Sequence, residues 1–148
     1  PRPDRRRQVR REPYGDAGAQ GALAWLLKRK PGISFERFRD HYEACHSVLG
    51  QKYFGHLIHS YQRNYDLGAQ SEKPEPKSSG YDCITEWVLP DEEALDELFR
   101  LLVDPEIGPI FREDEAKFLD SSETRLVRCD LRDTGPGDGA ETLKIKRR

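Results

Sequence analysis

Residues Leu26 to Asp66 read LLKRKPGISFERFRDHYEACHSVLGQKYFGHLIHSYQRNYD. This stretch decides the fold. The apolar run Ala22 to Lys28 is long enough for one buried strand, and Lys30-Pro31-Gly32 breaks it. Ser34 is a good N-cap, and Glu36 puts a carboxylate in the first helical turn, where the helix dipole favours it. Phe35, Phe38, Tyr42, Cys45 and Leu49 then recur at steps of three and four, which predicts an amphipathic helix over Ser34–Leu49. Leu57 to Tyr65 has alternating aromatic character and reads as a strand.

Downstream, residues 66–80 are rich in Pro, Ser and charge and read as a loop. Tyr81 to Leu89 (YDCITEWVL) splits between two faces. Tyr81, Cys83, Thr85 and Trp87 fall on one; Asp82, Ile84, Glu86 and Val88 fall on the other. Pro90-Asp-Glu-Glu93 opens a helix with Ala94, Leu95, Leu98, Phe99 and Leu102 as its buried face. A second helical stretch covers about Ile110 to Leu119, and Thr124 to Asp130 is a last strand. The order β-α-β-β-α-β predicts an α+β fold of ferredoxin-like type, an antiparallel sheet with helices on one face. The other face carries too many apolar residues for water, so a second copy of the chain is expected to cover it as a dimeric α+β barrel.

With 148 residues the chain is sized for one domain. Residues 1–20 hold six arginines and read as a solvated arm, 21–132 as the folded unit, and 133–148 as a polar tail. The formal net charge of −2 gives no general reason to expect nucleic acid or membrane as partner. No apolar run approaches the roughly 20 residues of a spanning helix, and no signal-peptide pattern appears. Cys45, Cys83 and Cys129 are far apart and read as reduced, buried, small apolar residues of a cytoplasmic protein.

All four histidines lie between His41 and His59. Imidazole moves protons near neutral pH and also binds metals. At 100° per residue, His41 and His46 flank the apolar stripe about 70° to either side. From opposite flanks they do not converge on one metal ion, and their spacing matches no structural zinc module. No metal is therefore expected. His59 shares a strand face with Tyr61, Arg63 and Tyr65. Glu86 alternates with Ile84 and Val88, where a carboxylate needs a partner or a proton. His56 reads as solvent-exposed, Asp82 as solvated, and Asp114 and Glu115 as part of a solvated helix face. Dinucleotide, P-loop and G-x-S-x-G patterns are absent.

The phrase Leu27-Lys-Arg-Lys-Pro-Gly-Ile-Ser-Phe-Glu-Arg-Phe-Arg-Asp-His-Tyr-Glu-Ala-Cys-His46 resembles the EthD-type family of dimeric α+β barrels. So do Tyr81-Asp-Cys-Ile-Thr-Glu86 and Asp114-Glu-Ala-Lys-Phe-Leu-Asp120. The chain departs in having His46-Ser-Val-Leu49 where many relatives have His-x-Pro-Leu. Relatives include cofactor-free decarboxylases, dehydratases and cyclases of aromatic polyketides. By this resemblance His41, His46 and His59 match helix and second-strand histidines, and Glu86 a third-strand acid. The expectation is a cofactor-independent enzyme with His46, His59, His41 and Glu86 as catalytic groups. Tyr42, Tyr61, Arg63, Trp87, Phe99 and Phe118 are expected to bind an aromatic polyketide or phenolic substrate between sheet and helices. The alternatives are a non-catalytic ligand-binding protein and a cofactor-free oxygenase of the same fold.

Overall fold

The computed structural model describes residues 21–70 and 78–135. The arginine-rich segment 1–20 and most of the C-terminal tail lie outside the described residues. Four strands form one antiparallel sheet: β1 (Gly21–Leu27), β2 (Ser60–Tyr65), β3 (Cys83–Val88) and β4 (Arg125–Asp130), in the order β2-β3-β1-β4. Two helical segments, packed on one face of the sheet, connect them. Between β1 and β2 run α1 (Phe35–His41), a π-helical turn (Tyr42–His46) and α2 (Ser47–Phe54). Between β3 and β4 run α3 (Glu92–Leu102) and α4 (Ile107–Phe118). This is the ferredoxin-like βαββαβ arrangement.

Local chemistry sets the helix starts. The Ser34 hydroxyl accepts the Arg37 N–H at 3.1 Å, and the Asp91 carboxylate accepts the Ala94 N–H at 2.8 Å. Each satisfies a donor that has no partner inside its helix. The first helix outruns its predicted end at Leu49 and reaches Phe54, so β2 begins at Ser60 rather than Leu57.

The π turn explains why the predicted apolar stripe fails halfway. The Ser47 N–H bonds to the carbonyl of Tyr42, five residues back. One extra residue in a turn rotates everything after it. Phe35, Phe38 and Tyr42 are buried as the spacing predicts, but Cys45 is exposed, and Ser47, Gly50 and Phe54 take the inner positions. Cys83 is buried and Cys129 lies between, so only one of three cysteines occupies the interior expected of them.

The alternation of β3 is as read. Cys83, Thr85 and Trp87 face the helices and are buried. Across the sheet, Tyr61 pairs with Trp87 and Trp87 with Leu23; Thr85 pairs with Trp25 and Trp25 with Leu126. Two apolar clusters form on this face. One gathers Leu23, Phe54, Trp87, Leu95, Leu98 and Phe111; the other gathers Leu27, Phe38, Tyr42, Cys83 and Phe118. Trp25 and Tyr61 pack against both and mark the seam. The opposite face carries Ala24, Leu26, Ile84, Glu86 and Val127, with Val127 41% exposed.

Three expectations are corrected here. Phe99 is 40% exposed on the outer side of α3, because the inner stripe runs Ala94, Leu95, Leu98, Leu101. Asp82 is buried; its carboxylate accepts the Arg29 N–H at 2.8 Å and faces the Arg29 guanidinium at 3.7 Å. Asp114 is buried on α4 rather than solvated.

Leu98 is completely buried in the larger cluster. Leu98→Ala removes its buried methyl groups and leaves a cavity, so urea unfolding should show a loss of about 2–5 kcal/mol.

Candidate functional site

A cavity of about 240 Å³ opens at the seam between the two clusters. Its floor is a run across the sheet: Tyr61 on β2, Trp87 on β3, Trp25 on β1 and Leu126 on β4. Its roof comes from Tyr42 and His46 of the π turn, Gly50 and Phe54 of α2, and Phe111 and Glu115 of α4. The walls are mostly apolar, with a few polar groups placed among them, the usual composition of a small-molecule site.

Gly50 sits where α2 comes closest to β2. A Cβ there would stand 3.2 Å from the Tyr61 ring and 3.4 Å from its hydroxyl. The missing side chain lets Tyr61 lie under the helix and reach Tyr42.

The π turn has a second consequence. In a regular α-helix His41 and His46 would project about 140° apart. With the extra residue between them, both reach the same carboxylate. His41 Nε2 lies 2.9 Å from Asp114 Oδ1, and His46 Nδ1 lies 2.9 Å from Asp114 Oδ2. The two imidazoles, read from the spacing as lying on opposite flanks, are therefore brought together on one carboxylate. Both rings rest against Phe118, at centroid separations of 4.8 and 4.9 Å. Asp114 is 6% exposed, and a buried carboxylate needs such donors.

His46 is the member of this trio that faces the cavity. An ionised Asp114 accepts the Nδ1–H, which leaves Nε2 as the basic nitrogen. Burial lowers the His46 pKa from its ordinary 6.5, outweighing the attraction of Asp114, and the nearby His41 charge pushes the same way. The ring is thus a neutral base at pH 7.

Beside it is a chain of hydroxyls. Tyr42 Oη lies 2.7 Å from Thr85 Oγ1 and 3.0 Å from Tyr61 Oη. Burial raises the pKa of both phenols, so they remain protonated donors. Arg63 lies outside the cavity lining. Its guanidinium stacks 4.9 Å from the Tyr61 ring centroid and 5.9 Å from that of Tyr42. It donates to both carboxylate oxygens of Glu43 at 2.8–3.0 Å. That pairing holds Glu43 below its usual range and anchors β2 to the π turn.

The other sequence candidates are placed elsewhere. Phe118 is a packing surface under the histidines and does not line the cavity. His59 is exposed just before β2, where its backbone N–H donates to the Val88 carbonyl at 2.7 Å. Glu86 lies on the sheet face turned away from the helices, opposite Ala24 and Gln62. His56 is exposed, as read. Among the described residues no group of three His, Cys, Asp or Glu is arranged to hold a metal ion, and no helix is long and apolar enough to cross a membrane.

Asp114 and Glu115 are the residues sequence reasoning missed. The signal was present: Phe111, Asp114 and Phe118 stand three and four apart, so Asp114 interrupts the apolar stripe of α4. Glu115 lines the cavity, and burial raises its carboxyl pKa against the opposing pull of Arg112.

Comparison with known proteins agrees with this architecture. No curated protein matches the chain. Among solved structures, an EthD family protein from Bacillus halodurans is similar at 18% identity and a TM-score of 0.54, with 77% of this chain and 100% of that one covered. A hypothetical protein from Arabidopsis thaliana is similar at 16% identity and a TM-score of 0.50, covering 80% and 94%. HapK from Hahella chejuensis is similar at 8% identity and a TM-score of 0.50, covering 79% and 99%. At these identities the likeness is one of fold. Residues 30–122 match the EthD domain, and with more than half its length inside that match the chain belongs to the EthD domain family.

Proposed function

We propose that the protein is a cofactor-independent enzyme that uses His46 as a general base on a small phenolic or aromatic polyketide intermediate. The observation that carries this reading is the Asp114-held imidazole of His46 facing an apolar cavity beside the hydroxyls of Tyr42 and Tyr61. A neutral base next to protonated phenols suits removal of a proton from carbon next to a carbonyl. His46 Nε2 takes the proton, the C–H electron pair moves toward the carbonyl, and the developing oxyanion is stabilised by the phenol O–H donors. A β-hydroxyl can then leave as water, taking the proton back from the imidazolium as the enolate electrons close the double bond. An enolate attacking a second carbonyl of the same molecule would instead close a ring. Loss of CO₂ draws its electron pair from the C–C bond and needs a proton delivered to carbon rather than removed from it, so dehydration and cyclisation fit this His46 better than decarboxylation.

The volume bounds the substrate. About 240 Å³ is below the ~300–1,000 Å³ typical of sites for drug-sized ligands. A compound of one or two fused rings suits it.

We also assign the open sheet face to a second copy of the chain. Ala24, Leu26, Ile84 and Val127 form an apolar strip on that face, with Glu86 among them. Sedimentation at micromolar concentration should give twice the monomer mass of 17.1 kDa, and Ile84→Glu should shift the protein to monomer. A wild-type monomer would refute the pairing.

Incubation with a panel of one- and two-ring aromatic polyketide precursors, followed by mass spectrometry, should give a product lighter by water or an isomer of equal mass. His46→Gln should abolish it. Asp114→Asn can turn its NH₂ toward His46 and force the proton onto Nε2, so a loss of roughly 10²–10⁴-fold is expected with the fold retained. Ligand bound without turnover in any panel member would instead indicate a binding protein.

The pH dependence follows in sign. Because His46 titrates below 6.5, the rate should hold through neutrality and fall only as pH drops below 6.5. The same group costs stability in that direction, since the unfolded chain takes up the proton first.

A further inference from the structure

The cavity runs across the whole sheet, and its two ends differ in chemistry. Tyr61 stands on edge strand β2, and Leu126 on the opposite edge strand β4, with Trp87 and Trp25 on the two strands between. Three strand spacings separate the edges, about 14 Å between backbones. At the β2 end lie the phenols of Tyr42 and Tyr61. Toward the β4 end, the lining includes Ser121 and Thr124 from the α4–β4 connection, and Glu115 lies in the last turn of α4 that leads into it.

Glu115 is the unusual member. Its neighbour Asp114 is fully engaged by the two histidines, whereas the Glu115 carboxyl forms no hydrogen bond or ion pair among the described residues. It is half-buried and lines the cavity. A half-buried carboxyl without a partner carries a desolvation cost that a ligand donor can relieve. Arg112, one turn earlier, is exposed and acts on it only at a distance.

Resting on the reading of the cavity as a ligand site, we infer that Glu115 reads the far end of the ligand: it pairs with an uncharged hydroxyl at the end of the ring system remote from Tyr61, and turns away a carboxylate there. The ligand class is therefore a flat, neutral compound of one or two rings with hydroxyl or carbonyl oxygens at opposite ends. The Glu115 carboxylate accepts from such a hydroxyl, which offsets part of the burial that raises its pKa. An anionic group would meet a second carboxyl in a site of low dielectric.

The test is calorimetric binding of three two-ring probes: 2-naphthol, 2,6-dihydroxynaphthalene and 6-hydroxy-2-naphthoic acid. Wild-type protein should bind the diol roughly tenfold tighter than 2-naphthol, the worth of one net hydrogen bond. Glu115→Ala should erase that preference, and measurable 2-naphthol binding by the variant shows that it is folded. Glu115→Gln should keep most of the preference and improve binding of the naphthoic acid. An unchanged diol preference in Glu115→Ala would overturn the role of Glu115 alone. Failure of the wild-type protein to bind either naphthol would overturn the ligand-site reading and this inference with it.

Discussion

The buried Asp114 carboxylate is the constraint on which the rest of the site depends. It sits on α4 and is held by imidazoles from two turns of the other helical segment. An ionised carboxylate in that position is tolerable only because two N–H donors meet it. The same contact fixes which nitrogen of His46 carries the proton. One interaction thus joins the two helical segments and orients the His46 ring, which lines the cavity. The apolar surroundings that make Asp114 expensive to bury also keep His46 neutral.

Much of the architecture was legible in the chain. The element order, the N-cap at Ser34, and the face assignment of β3 follow from spacing and composition. Placing Tyr42, Tyr61, Trp87 and His46 on one cavity agrees with a pocket between sheet and helices. What spacing could not supply was the π turn. A constant 100° per residue puts Cys45 inside and sends His41 and His46 to opposite flanks. One added residue reverses both outcomes. Such a turn has no strong residue signature, and it shows itself only through tertiary contacts.

The misplaced site residues share a different cause. Glu86 and His59 were judged by strand alternation, which gives the face but not what lies over it. Glu86 is on the face away from the helices, and His59 falls just before β2, where it is exposed. Asp114 and Glu115 were dismissed because they sit in a charged run, although Phe111 and Phe118 put the Asp114 position on the buried stripe. A charged residue in phase with an apolar stripe is a better pointer to a site than a charged run is to solvent. In this chain that residue, Asp114, is the carboxylate that gathers His41 and His46.

The most direct test of the central claim is the protonation state of His46 itself. Long-range ¹H–¹⁵N correlation spectra of the imidazole nitrogens, recorded at pH 7 on the wild-type protein, distinguish the two neutral tautomers from the imidazolium. The account predicts a neutral His46 with its proton on Nδ1 and an unprotonated Nε2. A doubly protonated ring at pH 7, or a proton on Nε2, would contradict it.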